Sequence, residues 1–248
     1  MDPELGNRGL GNRVALVTGA SRGIGRAIAL RLAEAGAAVG VNYQSHADQA
    51  EHVVAAIRAE GGRATAVAAD VSGSRSVIAM VRTVEESLGP IDVLVNNAGI
   101  AVVRDVDDIS EADWDLTLSV NLKSAFLCTR AVLTHMRDQR WGRIVNISSG
   151  AARGGGIIGV HYNAAKAGLE GLTRGYAARL AKDGVTVNAV APTLIATDMI
   201  APGEDAVRRV PMGRLGLPEE IAQAVLMVIG NAYMTGQTIA VNGGTAFV

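Results

Sequence analysis

The nine residues VTGASRGIG, at positions 17–25, join the end of an apolar strand to a glycine-rich turn and the start of a helix. The run RVALVT at 13–18 predicts the strand, and the helical pattern at 23–35 ends at Gly36. The spacing G-x-x-x-G-x-G differs from G-x-G-x-x-G and from the P-loop pattern. Such glycines let the backbone turn tightly and approach a pyrophosphate at the helix N-terminus. We therefore interpret the stretch as a dinucleotide-binding loop; a tight turn without a ligand is the alternative.

Apolar β-branched runs alternate with helical patterns along the rest of the chain. We expect strands at 13–18, 37–43, 63–69, 91–96, 143–148, 185–190 and 237–241. We expect helices at 23–35, 47–60, 74–88, 111–139, 160–182 and 218–229. Repeated β-α-β units with short connections are typical of a doubly wound parallel sheet with helices on both faces. The sequence thus predicts an α/β fold, with a single Rossmann-type domain of about seven strands at 13–248 after a flexible lead at 1–12.

The composition agrees with this fold and excludes several function classes. The 248 residues are 49% hydrophobic and only 3% aromatic, so Ala, Val, Ile and Leu must build the core. A net charge of −1 provides no field that would recruit nucleic acid or a membrane surface. Cys128 is the single cysteine, and no metal site is expected from the scattered histidines His46, His52, His135 and His161. With no secretory signal and no apolar run long enough to span a bilayer, we predict a cytoplasmic protein.

The stretch HYNAAKAG, at 161–168, places Tyr162 and Lys166 one helical turn apart. A packed helix with a core tyrosine and a lysine that reaches water is one interpretation. A catalytic acid is the other interpretation, because a nearby cation lowers the pKa of a phenol from its usual value of about 10. In the predicted fold the pair lies on the helix that follows the fifth strand, and the spacing alone leaves both interpretations open.

The charge pattern indicates which nicotinamide cofactor the loop binds. A carboxylate at the end of the second strand usually accepts a hydrogen bond from a free ribose 2′-hydroxyl, but VGVNYQS at 39–45 contains no Asp or Glu. Arg22 lies within the glycine loop, where a guanidinium can form a bidentate contact with a 2′-phosphate. A solvated loop charge is the alternative for Arg22. The pattern favours NADP(H).

Several motifs, in this order, resemble those of the short-chain dehydrogenase/reductase family. They are TGASRGIG at 18–25, NNAG at 96–99, Ser149 and Tyr162-x-x-x-Lys166. The likeness covers essentially residues 12–248. Within the family the chain is most similar to the 3-oxoacyl-carrier-protein reductase branch, through GRLG at 213–216, PEEIA at 218–222 and TGQTIAVNGG at 235–244.

The resemblance implies four catalytic residues: Asn121, Ser149, Tyr162 and Lys166. Tyr162 would give its proton to the alkoxide that develops in carbonyl reduction, with its pKa lowered by Lys166. Ser149 would hydrogen-bond the substrate oxygen, Lys166 would also hold the nicotinamide ribose, and Asn121 would order a water of the proton relay. Ser148 competes with Ser149, but neighbours on a strand face opposite ways and the family spacing of 13 residues to the tyrosine selects Ser149. The implied cofactor contacts are Gly19, Ser21, Arg22, Gly23, Ile24, Gly25, Asn42, Tyr43, Asp70, Val71, Asn97, Ala98, Gly99, Tyr162, Lys166, Pro192, Ile195 and Thr197.

The resemblance implies NADPH-dependent reduction of a carbonyl to a secondary alcohol, with a 3-oxoacyl thioester or related 3-keto compound as substrate. Small ketones, diketones, sugars or quinones are alternative substrates, and a non-catalytic cofactor-binding regulator is the alternative from another class. The implied partners are a small-molecule carbonyl substrate, an acyl carrier protein and further copies of the chain in a homotetramer. The helix at 164–181, which is small or apolar around most of its circumference, supports the tetramer.

The chain departs from the family pattern at several positions. Thr193 replaces the glycine that usually follows Pro192, and the expected substrate lid, at about 194–213, is short. In the resembling branch, basic residues precede the fifth and sixth strands and dock the acidic carrier protein. Arg140 occupies the first position, but Asp183 occupies the second. The sequence therefore predicts less reliance on a carrier protein than is usual in the family.

Overall fold

The structure is a computed structural model and describes residues 9–197 and 204–247. In these ranges seven strands form one parallel sheet in the order β3-β2-β1-β4-β5-β6-β7. The strands are β1 (Val14–Val17), β2 (Ala38–Tyr43), β3 (Ala64–Ala68), β4 (Val93–Asn96), β5 (Gly142–Ile147), β6 (Val185–Pro192) and β7 (Thr238–Val241). Each strand end lies within two residues of its predicted position. The doubly wound parallel sheet is thereby confirmed.

Helices cover both faces of the sheet. They are α1 (Gly23–Glu34), α2 (Ala47–Ala59), α3 (Ser74–Leu88), α4 (Glu111–Leu118), α5 (Ser124–Asp138), α6 (Val160–Leu180), α7 (Glu204–Arg208) and α8 (Pro218–Ile229). Apolar residues of α1, α2 and α8 form one core layer, and those of α3, α5 and α6 form the other. Strand residues alternate between the layers: Ala15 and Val17 belong to the first, Val14 and Leu16 to the second. None of the helices among the described residues is both long enough and apolar enough to cross a membrane.

The helix predicted at 111–139 is interrupted in its middle. A single π-helical segment, Ser119–Lys123, separates α4 from α5 and contains the predicted site residue Asn121. Periodicity does not reveal this segment, because one wide turn leaves the apolar pattern on either side intact. The predicted start at Ser110 is confirmed, since its hydroxyl accepts from the backbone N–H of Asp113, whose carboxylate accepts from the backbone N–H of Ser110.

The structure differs from the sequence prediction in the N-terminal lead and in the lid. Within the lead predicted as flexible, Leu10 is buried, and its N–H donates to the Ala35 carbonyl at 2.7 Å. A single leucine in a polar, glycine-rich stretch gives little sequence signal, although it closes the core beside α1. Residues 1–8 lie outside the described residues. So do 198–203 of the predicted lid, which also contains α7, a helix that the sequence did not predict.

Candidate active site

The carboxyl ends of the parallel strands surround a cavity of about 570 Å³. The strand order reverses between β1 and β4, and such a switch point opens a crevice at this edge of the sheet. All the residues that the sequence implied for catalysis and cofactor contact line this cavity, although they come from distant parts of the chain. The structure therefore assembles the whole predicted set at one place.

The glycine loop after β1 has the geometry of an anion site. Gly19 and Gly23 have left-handed φ values of +61° and +54°, which glycine adopts without strain. A Cβ on Gly25 would overlap the Gly19 carbonyl and lie 2.5 Å from Nδ2 of Asn97, so no other residue fits there. The first turn of α1 has no acidic residue and no side-chain cap, which leaves its N–H groups for an external acceptor. These residues fit the diphosphate of a dinucleotide.

Buried side chains hold the loop in this conformation. Nδ2 of Asn97 donates to the carbonyls of Thr18 and Gly19 at 2.9 and 3.0 Å, and Oδ1 of Asn42 accepts from the Gly19 N–H at 3.1 Å. The Thr18 hydroxyl accepts from the N–H groups of Asn97 and Ala98, both at 3.0 Å. The amides of Asn97 and Asn42 therefore support the loop. The sequence analysis missed Thr18, whose only signal is its place between the strand and the first glycine.

The end of the cavity beyond β2 is lined by polar residues and carries an arginine. Arg22 is exposed there, and Tyr43 lines the same end from the end of β2. Gln44, Ser45 and His46 line it too and were not among the predicted site residues. Among the described lining residues Asp70 is the acidic one, and its carboxylate accepts from the Ser72 N–H at 2.9 Å. The arrangement leaves the guanidinium of Arg22 free of any ion pair with the described residues.

Ser149, Tyr162 and Lys166 meet on the opposite side of the cavity. Tyr162 is buried and hydrogen-bonded to Ser149. Lys166 is also buried, and its Nζ donates to the Ile147 carbonyl at 2.9 Å. Burial lowers the pKa of Lys166 to about 8. A phenol, a hydroxyl and an ammonium thus face one space large enough for a small substrate.

The expected lowering of the Tyr162 pKa is not what the structure shows. Burial raises that pKa, and the hydrogen bond from Ser149 opposes the rise only in part. Lys166 Nζ lies 5.6 Å from the centre of the phenol ring, beneath its face, and donates to a backbone carbonyl. The charge of Lys166 thus lies against the ring and the Ile147 carbonyl. Desolvation therefore decides the direction in which the pKa of Tyr162 shifts.

Asn121 closes this side of the cavity through its side chain. Nδ2 donates to the carbonyls of Ile100 and Thr117, each at 3.1 Å, and Oδ1 accepts from the Ile100 N–H at 3.2 Å. A Cβ on Gly99 would lie 2.7 Å from Oδ1 of Asn121 and 3.7 Å from Nζ of Lys166. The Asn121 side chain therefore anchors the loop after β4.

Comparisons with known proteins agree with this geometry. The family model of the short chain dehydrogenases matches residues 13–207. This chain belongs to the short-chain dehydrogenase family. The chain is 46% identical over 237 residues to the 3-oxoacyl-[acyl-carrier-protein] reductase of Synechocystis sp., covering 94% of this chain and 96% of that protein. The resemblance to this branch of the family is thereby confirmed, and the chain is an oxidoreductase.

Two further similarities fit the family assignment. The chain is 44% identical over 243 residues to the (2S)-[(R)-hydroxy(phenyl)methyl]succinyl-CoA dehydrogenase subunit BbsD of Thauera aromatica, covering 95% of this chain and 97% of that protein. The crystal structure of a dehydrogenase/reductase from Sinorhizobium meliloti 1021 superposes with a TM-score of 0.91 at 36% identity, and all of both chains is covered. The fold of this chain is thus that of the short-chain dehydrogenases.

The short-chain dehydrogenase motif after β6 is altered at Thr193 without loss of the cavity wall. The Thr193 N–H donates to the Val241 carbonyl at 3.2 Å, and its side chain packs directly on Gly150, where a Cβ would collide with it. Leu194 takes the left-handed conformation, with φ +53°, and Ile195 pairs with Gly216. A strained leucine thus makes the turn, and Ile195 still lines the cavity.

The two positions expected to dock a carrier protein lie away from the cavity of their own chain. Arg140 and Asp183 precede β5 and β6, so they lie at the amino edge of the sheet, whereas the cavity is at the carboxyl edge. Asp183 accepts from Arg137 at 2.7 Å, and Arg140 donates to the Lys182 carbonyl at 3.1 Å. The expectation that these residues rim the cleft is therefore wrong for a single subunit, because parallel strands separate the two edges.

Proposed function

We propose that this chain is a cytoplasmic, NADPH-dependent reductase that converts a 3-oxoacyl thioester or related 3-keto compound to the secondary alcohol. The observation that carries the proposal is the buried hydroxyl of Tyr162, hydrogen-bonded to Ser149 and flanked by the Lys166 ammonium, at the cavity that the glycine loop borders. A regulator without catalysis would not need this set of side chains. Their joint presence favours an enzyme.

In this proposal each side chain acts on the substrate oxygen or on the cofactor. The cofactor, when bound, supplies the hydride that reduces the carbonyl carbon. Tyr162 gives its proton to the oxygen, and Ser149 donates a hydrogen bond to the same oxygen as negative charge develops there. The ammonium of Lys166 holds the ribose hydroxyls and favours the phenolate that Tyr162 becomes. Asn121 keeps the loop after β4 in place beside them.

The preference for NADPH rests on charge. A 2′-phosphate carries close to two negative charges, and Arg22 is the arginine at the end of the described cavity where the ribose would lie. The polar side chains of Ser45 and His46 lie at the same end. No carboxylate stands at the end of β2, where a free 2′-hydroxyl would be recognised.

The substrate side of the cavity favours an apolar acyl chain over a sugar. Its described walls carry the side chains of Ile100, Val120, Ile157, Ile158 and Leu194. A sugar would leave its hydroxyls without partners against these side chains, which costs free energy for each one buried. The relatives named as acting on carrier-bound and CoA-bound substrates support a thioester.

We also propose a homotetramer. The outward face of α6 carries the small residues Ala164, Ala167, Gly171 and Ala178, interrupted by Arg174 and Arg179, and it is exposed in the single chain. A helix that packs on the sheet with only one side usually carries polar residues on the other. A second copy of the same helix would bury this face around a two-fold axis.

The experiment that tests the function follows NADPH absorbance while a panel of carbonyl compounds is added to the purified protein. The panel contains a 3-oxoacyl thioester, a 3-keto ester, a simple ketone, a diketone, a sugar and a quinone. We expect the fastest oxidation of NADPH with the first two compounds. Oxidation of NADPH with only the sugar or the quinone would overturn the proposed substrate class. No oxidation with any compound would overturn the assignment as an enzyme.

A further inference from the structure

The wall of the cavity between β5 and α6 is a loop that carries few side chains able to fix it. The β5–α6 loop, residues 148–159, includes the predicted catalytic Ser149 and glycines at 150, 154, 155, 156 and 159. Glycine loses more conformational freedom on ordering than any other residue, so such a loop is costly to hold in one shape. Ala151, Gly156, Ile157 and Ile158 nevertheless line the cavity on the substrate side.

The first device that holds this loop is the residue directly after Tyr162. Nδ2 of Asn163 lies 2.8 Å from the carbonyl oxygen of Ala151, 2.7 Å from that of Gly154 and 2.6 Å from that of Gly155. The two hydrogens of this amide are thus shared among three carbonyls of the loop. The Ala151 N–H in turn donates to the Ser149 hydroxyl at 3.2 Å. Asn163 is connected through Ala151 to the serine that faces the substrate.

The second device is a buried carboxylate two turns farther along α6. Oε2 of Glu170 accepts from Nε of Arg153 at 3.1 Å, and Oε1 accepts from the Ser148 hydroxyl at 3.2 Å. The Glu170 side chain is 6% exposed, whereas that of Arg153 is 42% exposed. A buried carboxylate needs such partners, because the desolvation of an unpaired charge is costly. Glu170 therefore ties the middle of the loop and its first residue to the catalytic helix.

We propose that Asn163 and Glu170 are positioning residues that hold the β5–α6 loop as the substrate-side wall of the cavity, in register with Tyr162. One helix then carries both the proton donor and the two anchors of the wall that a ketone must contact. The inference rests on the proposed function, since it names the residues that fix the substrate against that proton donor. The proposed role of Asn163 and Glu170 is limited to the substrate side of the cavity. On the cofactor side, Asn97 and Asn42 support the glycine loop separately.

The decisive comparison is between two substitutions of Asn163. Asn163→Asp keeps the shape of the side chain but places a carboxylate against three carbonyl oxygens, whereas Asn163→Ala only removes the donor. We expect kcat/KM for the 3-keto ester to fall about tenfold in Asn163→Ala, mainly through KM, and further in Asn163→Asp. The dissociation constant of NADPH, measured by fluorescence titration, should change less than about twofold. A space-filling role predicts instead that Asn163→Asp equals the parent.

The ion pair is tested by a double-mutant cycle. Glu170→Gln and Arg153→Gln should each raise KM, and the double variant should be no worse than the more impaired single variant, because both break one contact. Glu34→Gln is the control, since Glu34 forms an ion pair with Arg31 on the surface of α1, outside the cavity lining. Additive effects in the cycle would overturn the role of this pair. Arg153 is largely exposed, so Arg153→Gln tests the loop even where a change at the buried Glu170 prevents folding.

A measurement without turnover separates this inference from the proposed function. Amide hydrogen exchange of residues 150–156 should be about tenfold faster in Asn163→Ala than in the parent, with no change in α1. If the parent reduces no carbonyl compound, the proposed function fails, and exchange still decides whether Asn163 holds the loop. Unchanged exchange together with unchanged KM in Asn163→Ala and Arg153→Gln would overturn the inference.

Discussion

The ammonium nitrogen of Lys166 lies 5.6 Å from the centre of the Tyr162 ring and donates to the Ile147 carbonyl at the end of β5. Helical spacing brings the two side chains to one face of α6, and the Ile147 carbonyl fixes the position of the lysine ammonium. Burial has opposite effects on the two groups: it raises the pKa of the phenol and lowers that of the ammonium. Each group is therefore less readily charged than in water.

This relationship predicts a pH dependence of cofactor affinity. Because burial lowers the pKa of Lys166 from 10.5 to about 8, the cofactor-free protein loses this proton as the pH rises through about 8. A neutral amine holds the ribose hydroxyls less well than an ammonium does, so NADPH affinity should fall above that pH. Fluorescence titrations between pH 7 and 9.5 measure it, and Lys166→Met should remove the step. A parent protein with a flat profile would contradict this assignment.

The lowered pKa of Lys166 also affects the free energy of unfolding, which should rise with pH where the NADPH affinity falls. Between pH about 8 and 10.5, Lys166 is neutral in the native protein but protonated in the unfolded chain. Stability rises with pH wherever the unfolded state binds more protons, so the contribution of this residue increases across that window. Urea unfolding of the parent and of Lys166→Met at both ends of the window should show the difference.

Arg22→Ala should reduce the preference for NADPH over NADH. The substitution removes a charge-assisted contact to the 2′-phosphate, which NADH lacks, so the ratio of the two kcat/KM values should fall about tenfold. Arg26→Ala is the control, because Arg26 is an exposed arginine of α1 outside the cavity lining. A ratio near one in the parent protein would show that the protein does not prefer NADPH.

Gly171→Glu should dissociate the proposed tetramer without unfolding the subunit. A Cβ at Gly171 meets nothing within 4 Å in the single chain, so the larger residue fits the isolated subunit and carries charge into the proposed interface. Ala55→Glu, at an exposed position of α2, is the control. Light scattering at micromolar concentration measures the mass. A monomeric parent protein would refute the tetramer.

The ion pair of Arg137 with Asp183 predicts a weak dependence on a carrier protein. Asp183 neutralises the arginine at 2.7 Å, so this region offers an acidic partner less positive charge. The values of kcat/KM for a 3-oxoacyl chain on a carrier and on a short thiol should differ by less than about tenfold, at low and at high salt. A large, salt-sensitive preference for the carrier would show that Asp183 does not limit docking.

Much of the fold could be predicted because buried parallel strands appear in a sequence as continuous apolar runs. β1, which reads VALV, is an example, and the glycine loop after it fixes where the cavity lies. The π-helical segment around Asn121 could not be predicted, since it changes the backbone without changing the apolar pattern. The packing of Leu10 depends on the Ala35 carbonyl, which is distant in sequence.

In the site, too, contacts between residues close in sequence could be predicted, whereas contacts between distant residues could not. Tyr162 and Lys166 are paired by helical spacing, which a sequence displays directly. The role of Asn163 depends on three carbonyls of a glycine-rich loop, and that of Thr18 on two N–H groups after β4. Backbone partners leave no residue-type signal, so these supports emerge only from the folded chain.

The central claim, that Tyr162 is the proton donor of a carbonyl reductase, is tested most directly by Tyr162→Phe. The substitution removes one hydroxyl and almost no packing volume, so the fold and the cofactor site should persist. We measure NADPH oxidation with the 3-keto ester beside NADPH binding by fluorescence titration. The expected result is a loss of turnover to below about one per cent of the parent, with the dissociation constant of NADPH within about twofold of the parent value. Turnover of more than a few per cent in a fully folded variant would contradict the assignment of Tyr162 as the acid.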